Sequence, residues 1–460
     1  MKTSLGYQTA PKERFGYGLY YFAQNIFYTF VTTYVATYLL NNGMNEAAIA
    51  AVLIAPKIWD AVNDPIFGVI VDKLKLKSGR FLPWIKASVA FIPITTVILF
   101  AMPSTLPDWA KSLWVIAAYI IWDISYTMCD APIFALATTM TSDIQERTSI
   151  YSMSRFTGTL GSFIPMVAVP LMYGENGLNL GWFVTAAIVC SVGFALMLPI
   201  CFTVKERSHA QIEESQSVGS ILKGFAGNKF LLVFYLAVFI INVTNTIQVL
   251  NPIFCQYVLG NETLATALLV AVMGPILIDA LVIPKITKKV DKFYLYIGAV
   301  SLYSVISFIQ YFVGYSNMAV LIATLVIKGI GLGGMTVLGA MFTPDCVEYG
   351  HYKSGRRNDG ISFSIQTFVN KLVAAVVTSL SMAMISALGF DSANVTQQGM
   401  DGVWFMFTLF AAIGSAIAIP ILLVLYKLRD KDVRLMSMCN NGEITREECE
   451  ANLSEMKKYY

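Results

Sequence analysis

The sequence predicts an all-α integral membrane protein whose twelve spanning helices form two pseudo-symmetric halves of six. Composition, the number of long apolar runs and the placement of basic residues between them lead to that class. Of 460 residues, 56% are hydrophobic and 13% charged, with a mean hydropathy of +0.62, a balance suited to lipid rather than water. The net charge of +3 is too small to imply a nucleic-acid partner. There is no Walker loop and no His-Glu-x-x-His pattern, which removes ATP hydrolysis and zinc proteolysis as easy readings. The seven cysteines form no C-x-x-C pair and lie mostly in apolar runs, as reduced packing residues would. His209 and His351 are expected in loops. The first dozen residues are polar and the first apolar run is too long for a signal core, so no cleavable signal is expected.

Twelve apolar runs of roughly 20 residues or more, the length a spanning helix needs, lie near 14 to 41, 47 to 72, 82 to 102, 112 to 140, 150 to 173, 181 to 204, 229 to 257, 263 to 284, 293 to 314, 318 to 343, 360 to 388 and 402 to 427. The connections after even-numbered runs hold Lys73, Lys75, Lys77, Arg80, Lys86, Arg147, Lys205, Arg207, Lys223, Lys229, Lys285, Lys288, Lys289, Lys292, Lys353, Arg356 and Arg357. Those after odd-numbered runs hold only Lys111. Seventeen against one predicts a multi-pass protein of the bacterial cytoplasmic membrane with both termini in the cytoplasm. Trp109, Trp114, Trp182 and Trp404 fall at the opposite ends, where an outer aromatic belt would sit.

The longest internal connection, rich in Glu and Ser, divides the runs six and six. The expected organisation is an N-terminal half over 1 to 204, a cytoplasmic linker over 205 to 228, a C-terminal half over 229 to 427 and a cytoplasmic tail over 428 to 460. Gly68, Asp72 and Lys73 followed by Ser78 to Arg80 have a counterpart in Gly274, Asp279, Lys285, Lys288 and Lys289, a weak repeat consistent with duplicated halves. The stretch 443 to 453 reads as a helix in the tail.

Charges inside the runs carry the functional argument. Lys57, Asp60 and Asp64 stand at i, i+3 and i+7, so a helix places them within about 60° on one face. An ionised group at bilayer depth costs a few kcal/mol, about 3 on the mildest scale, so this stripe needs a protein interior or a wet cavity. A Lys-Asp pair that only locks helices together is the plain alternative. One lysine nevertheless leaves a carboxylate over, and a surplus buried carboxylate wants a cation or a proton. Asp123, Thr127 and Asp130 share a face of the fourth run by the same arithmetic. Arg155 lies near a helix end and can snorkel. Lys371 lies too deep for that and needs a carboxylate or a cavity. Lys328 reads as a pairing or gating residue, with Asp279 as the neighbouring charge.

These motifs resemble the glycoside-pentoside-hexuronide:cation symporters, the melibiose permease-like family of the major facilitator superfamily. The resemblance covers residues 12 to 427 and rests on K-I-W-D-A-V-N-D-P, the following G-x-x-x-D-K and G-R-F-x-P-W, then Y-T-M-C-D-A-P, D-C-V-E-Y-G and Q-T-F-V-N-K. It implies the major facilitator fold and a sodium or lithium site at Asp60, Asn63, Asp64 and Thr127. Hard oxygen ligands suit a small alkali cation, and a carboxylate pair can hold a proton instead. It further implies substrate contacts at Asp130, Arg155, Lys371, Gln366 and Thr367. The family's helix 1 Lys-Asp pair is replaced here by Gln24 and Asn25, and its helix 4 tryptophan by Phe134. Amides change the hydrogen-bond pattern offered to hydroxyls, so the sugar need not be melibiose. Asp123, where the melibiose permease has a small residue, stands one turn from the implied cation ligands and either pairs with Lys57 in a charge network or joins the site.

The function expected is cation-coupled symport of a glycoside or related sugar by alternating access, not an enzyme activity, with no cofactor beyond Na+, Li+ or H+ as coupling ion. Partners are a small sugar, the cation and membrane lipid, with no nucleic acid, and the protein is expected to act as a monomer. A lysolipid or amphiphile carrier of the same fold and a symporter of anionic hexuronides are the alternatives. An intramembrane enzyme would need a nucleophile-base or metal constellation at depth, which two loop histidines do not supply.

Overall fold

The computed structural model describes residues 8 to 73, 79 to 141, 144 to 207, 227 to 355 and 359 to 453. Within its helices the side chains of Lys57, Asp60, Asp64, Arg155, Thr367 and Lys371 lie outside the described residues. Every regular element is helical among the described residues: α1 (Pro11–Asn41), α2 (Glu46–Lys73), α3 (Leu82–Leu99), α4 (Asp108–Met140), α5 (Ile144–Tyr173), α6 (Gly181–Met197), α7 (Ile200–Thr203), α8 (Lys229–Thr244), α9 (Ile247–Ile253), a π-turn (Phe254–Val258), α10 (Leu264–Ile286), α11 (Lys292–Val313), α12 (Met318–Gly339), α13 (Phe342–Ser354), α14 (Asp359–Ala387), α15 (Gln397–Phe407), α16 (Leu409–Leu425), α17 (Asp430–Asn440) and α18 (Arg446–Asn452). Among the described residues ten helices are long and apolar enough to cross a membrane.

Several spans that read as continuous are broken. The seventh run is divided at Asn245 and Thr246 and ends in the π-turn, and the twelfth is divided at Thr408. The tenth continues past Met341 into α13, which places His351 in a helix rather than a loop. His209 lies outside the described residues. The predicted tail helix forms as α18, where the Thr445 side chain accepts from Glu448 N–H and Glu448 reaches back in a capping box. All seven cysteines are free thiols.

Two compact units emerge. The first holds Met1–Ser215 with Pro252–Ala267 and Gly389–Thr396, and the second holds Gln216–Asn251, Leu268–Leu388 and Gln397–Tyr460. In the first unit α1 packs along α5, and α4 packs against both α2 and α3. Its core combines Tyr17, Tyr20 and Phe27 of α1 with Ile85 and Val89 of α3 and Ile133 and Leu136 of α4. Polar groups are matched inside it: the Tyr17 hydroxyl donates to Ile133 O at 2.7 Å, and Tyr20 Oη and Ser88 Oγ lie 2.5 Å apart. A chain that must bury tyrosines against lipid-facing helices satisfies their hydroxyls internally.

At the start of α3 the Glu206 carboxylate accepts from the N–H groups of Arg80, Phe81 and Leu82 at 2.9, 2.8 and 2.5 Å. These are the orphan donors of a helix N-terminus, where the dipole also favours an anion. Gly79 allows the approach, since a Cβ there would stand 2.7 Å from the carboxylate and its φ is +126°. The second unit uses carboxylates at the corresponding place, the start of α11. Asp430 accepts from Lys292 N–H at 3.0 Å while its own N–H donates to Asp291 at 2.9 Å. The Lys292 ammonium meets Asp345 at 2.5 Å and Asp430 at 3.1 Å. Each unit thus ties its third long helix to the segment following its last one.

The breaks in the second unit are joined to each other. The discontinuity at Thr408 leaves the last carbonyls of α15 without helical partners. Thr246 Oγ1 donates to Met406 O at 2.7 Å, and Lys328 Nζ donates to Phe407 O at 3.0 Å. Lys328 is fully buried, with the Tyr303 and Phe407 ring centroids 5.2 and 5.7 Å from its ammonium. The described partners of Lys328 are therefore a carbonyl and two rings rather than the Asp279 carboxylate expected beside it.

Candidate cation and sugar site

The crossing of α2 and α4 brings three expected residues together. Asn63 Nδ2 donates to Thr127 Oγ1 at 2.8 Å and lies 3.4 Å from Asp123 Oδ2. Exposure of all three is under a tenth, at 6%, 4% and 7%. The Asn63 amide N–H thus points into a buried cluster whose oxygens are the Thr127 hydroxyl and the Asp123 carboxylate, hard donors of the kind a small alkali ion takes. Asp123 joins Asn63 directly, so it belongs to this cluster as well as to the face of α4 that also bears Asp130.

The side chains of Lys57, Asp60 and Asp64 lie outside the described residues. Helix α2 carries all three positions on the segment that presents Asn63.

A second group of residues lies around α1, α4 and α5. Asn25 Nδ2 donates to Tyr21 O at 2.8 Å, and a Cβ at Gly158 of α5 would stand 2.9 Å from that nitrogen. The Phe134 ring meets Tyr21 edge-on with centroids 5.7 Å apart, while the Tyr151 hydroxyl donates to Phe134 O at 2.9 Å. Gln24 is 3% exposed and its Oε1 has no hydrogen-bond partner among the described residues, whereas Asn25, Asp130 and Phe134 are half-buried. An aromatic surface of Tyr28, Tyr126 and Trp122 continues along α1 and α4, with centroids 5.5 and 5.2 Å apart. Aromatic rings of this kind take the apolar faces of sugars, and the half-buried carboxylate and amide can meet hydroxyls.

Tyr21, Tyr28, Tyr126 and Tyr151 were not among the expected site residues. The signal was present: Tyr21, Asn25 and Tyr28 stand at i, i+4 and i+7, one face of α1. In the second unit Gln366 Oε1 accepts from Thr343 Oγ1 at 3.1 Å, and Thr343 also bonds the Tyr235 hydroxyl. The side chains of Arg155, Thr367 and Lys371 lie outside the described residues.

The family described as MFS/sugar transport protein matches residues 16–430. The chain belongs to that family. Among relatives of this MFS sugar transporter, the symporter YjmB of Bacillus subtilis (strain 168) is 29% identical over 431 residues, covering 91% of this chain and 93% of its own. The isoprimeverose transporter of Lactiplantibacillus pentosus is 24% identical over 439 residues, covering 92% and 90%. The crystal structure of the nucleoside transporter NupG aligns with a TM-score of 0.66 at 15% identity, over 90% of this chain and 99% of that one. That likeness concerns the fold, which is the twelve-helix major facilitator fold. The protein is a membrane transporter and not an enzyme.

Proposed function

We propose that the protein carries a neutral glycoside across the bacterial cytoplasmic membrane in symport with a small cation, by alternating access. The observation that carries this reading is the buried Asn63, Asp123 and Thr127 cluster on helices that also bear Asp60, Asp64 and Asp130. Buried oxygen donors with surplus carboxylates need a cation or proton, and a coupling ion is one that such a cluster binds while the sugar is bound nearby.

In this proposal Na+ is held by Asp60, Asn63, Asp64 and Thr127, with Li+ or H+ as substitutes. Asp130, Asn25, Gln24, Phe134 and Arg155 receive the sugar, and Gln366, Thr367 and Lys371 contribute from the second half. Lys57 and Asp123 balance charge around the cation. The asymmetry of basic residues between the runs supports both termini in the cytoplasm, and the carrier acts as a monomer in this reading.

The names of relatives support sugar as cargo and symport as mode. Uptake of isoprimeverose into right-side-out vesicles with and without a sodium gradient tests the reading. The expected result is accumulation that needs the gradient, with Asp64→Cys abolishing sodium stimulation while leaving some sugar binding. Sodium dependence unchanged in Asp64→Cys would sink the assignment of the cation site.

A further inference from the structure

The first unit carries a cavity that the transport reading does not use. It lies where α1 and α5 end and α6 begins, against the segment that follows the π-turn. Asn25 precedes Asn41 at its edge by sixteen residues of α1, roughly 24 Å of helix axis. The cavity encloses about 740 Å³, inside the range of about 300–1,000 Å³ usual for small-molecule sites.

Its chemistry is specific. Five carboxamides line it, Asn41, Asn45, Asn176, Asn179 and Gln256, and each offers both a donor and an acceptor, as a sugar hydroxyl does. The carboxylates of Glu175, Glu262 and Asp391 add acceptors, and no lysine, arginine or histidine lines the cavity. An anionic ligand would meet the like charge of three carboxylates, while the Lys111 ammonium behind the wall, 3.7 Å from where a Gly43 Cβ would stand, is held by Asn42 O at 2.7 Å. Among the described residues the carboxylates do not converge into a metal group. A quaternary ammonium could use the carboxylates and rings but none of the five amides.

Part of the wall is already fixed. The Asn41 amide stands 3.0 Å from the Tyr257 hydroxyl, and with its oxygen turned to Trp182 it accepts from Nε1 at 3.1 Å. Trp182 stacks on Tyr173 with centroids 4.1 Å apart. Glu262 accepts from Asn176 N–H at 2.7 Å and Nδ2 at 2.8 Å. By contrast, the side chains of Glu175 and Asn179 are exposed at the rim with no hydrogen-bond partner among the described residues. The site therefore pairs a rigid amide and aromatic wall with unengaged polar groups at its mouth.

We propose that this cavity is a second saccharide site, an outer vestibule that docks a neutral mono- or disaccharide before it reaches the deep site. The proposal rests on the reading of the protein as a glycoside carrier, and on the basic-residue asymmetry that puts this end outside. Docking there raises the local sugar concentration and lowers the apparent KM without contributing to the translocation step.

The test uses the full chain in detergent and saturation-transfer NMR, with isoprimeverose as probe and glucuronate and choline as controls. In Asp130→Asn, which disables the deep site, isoprimeverose should still receive saturation transfer, and neither control should. Adding Glu175→Ala with Asn179→Gly should abolish that transfer; glycine preserves the left-handed backbone at Asn179, whose φ is +51°. Ala393→Trp, which fills the cavity from an exposed position, should do the same.

In vesicles, with Asp130 intact, Glu175→Ala with Asn179→Gly and, separately, Ala393→Trp should each raise the KM of sodium-driven uptake several-fold with kcat unchanged. Transfer that disappears in Asp130→Asn alone, survives both vestibule variants, or favours choline or glucuronate overturns the vestibule. Loss of sodium-driven uptake by the unaltered chain, with transfer still sensitive to Glu175 and Asn179, supports the vestibule and instead removes the symport reading.

Discussion

Asn63 is the residue through which the cation cluster is most directly tested. Its amide holds Thr127 and Asp123 in one place, and a hydrogen bond to a charged group is worth about 1.5–3 kcal/mol. Asn63→Ala is predicted to raise the sodium concentration needed for half-maximal stimulation by about tenfold or more, since about 1.4 kcal/mol is tenfold in affinity. Equilibrium sugar binding at saturating sodium should change far less, and equal losses in both titrations would place Asn63 outside the cation site. Asp130→Asn has the opposite expectation. A carboxylate can accept from two sugar hydroxyls where an amide offers one oxygen, so calorimetric sugar affinity should fall while sodium binding is retained. Normal sugar affinity in that variant would move the sugar elsewhere. The spacing of Asp123, Thr127 and Asp130 was legible as one face of a helix. That Asp123 reaches Asn63 was not, because a face says nothing about which neighbour crosses it.

At the scale of elements, the breaks in α8–α9 and α15–α16 matter more than the helices they interrupt. Lys328 supplies a cation where α15 ends, the negative end of its dipole, and fixes the freed Phe407 carbonyl. Lys328→Ala removes that donor and leaves a cavity, so unfolding in detergent should be easier by about 2–5 kcal/mol. Methylammonium is small enough to refill the space and should restore part of the loss in thermal unfolding, whereas sodium at the same concentration should not. Equal responses to the two salts would show that the ammonium is not what holds the break. Apolar periodicity cannot reveal such breaks, because both halves of a divided helix are as hydrophobic as a continuous one. Thr246 and Thr408 look like ordinary interior threonines until the partner helix is present.

For the whole molecule, acid sensitivity is set by carboxylates at the two ends of the first unit. Burial pushes Glu262 up, but the side-chain and backbone donors of Asn176 outweigh it and hold the group below its ordinary 4.5. Glu146, at the start of α5, is also held low; burial there is outweighed by donors from Thr9, Thr141 and the backbone of Gln8. A carboxylate depressed in the folded state contributes stability that is complete above its unfolded value and lost as pH falls through the folded one. Thermal stability should therefore drop on acidification below about pH 4.5, and Glu262→Gln should flatten part of that slope while lowering stability at neutral pH. An unchanged slope would show that Glu262 is equally ionised in the folded and unfolded chain. Composition, run length and the distribution of lysine and arginine by themselves determined the membrane class, the number of runs and which charged residues lie inside them, because the cost of charge in lipid acts locally on each segment. Only the tertiary structure decided that Asn63 meets Thr127 and Asp123, that Lys328 serves a carbonyl, and that five amides from separated segments enclose one cavity, because those contacts depend on which helices cross and at what depth.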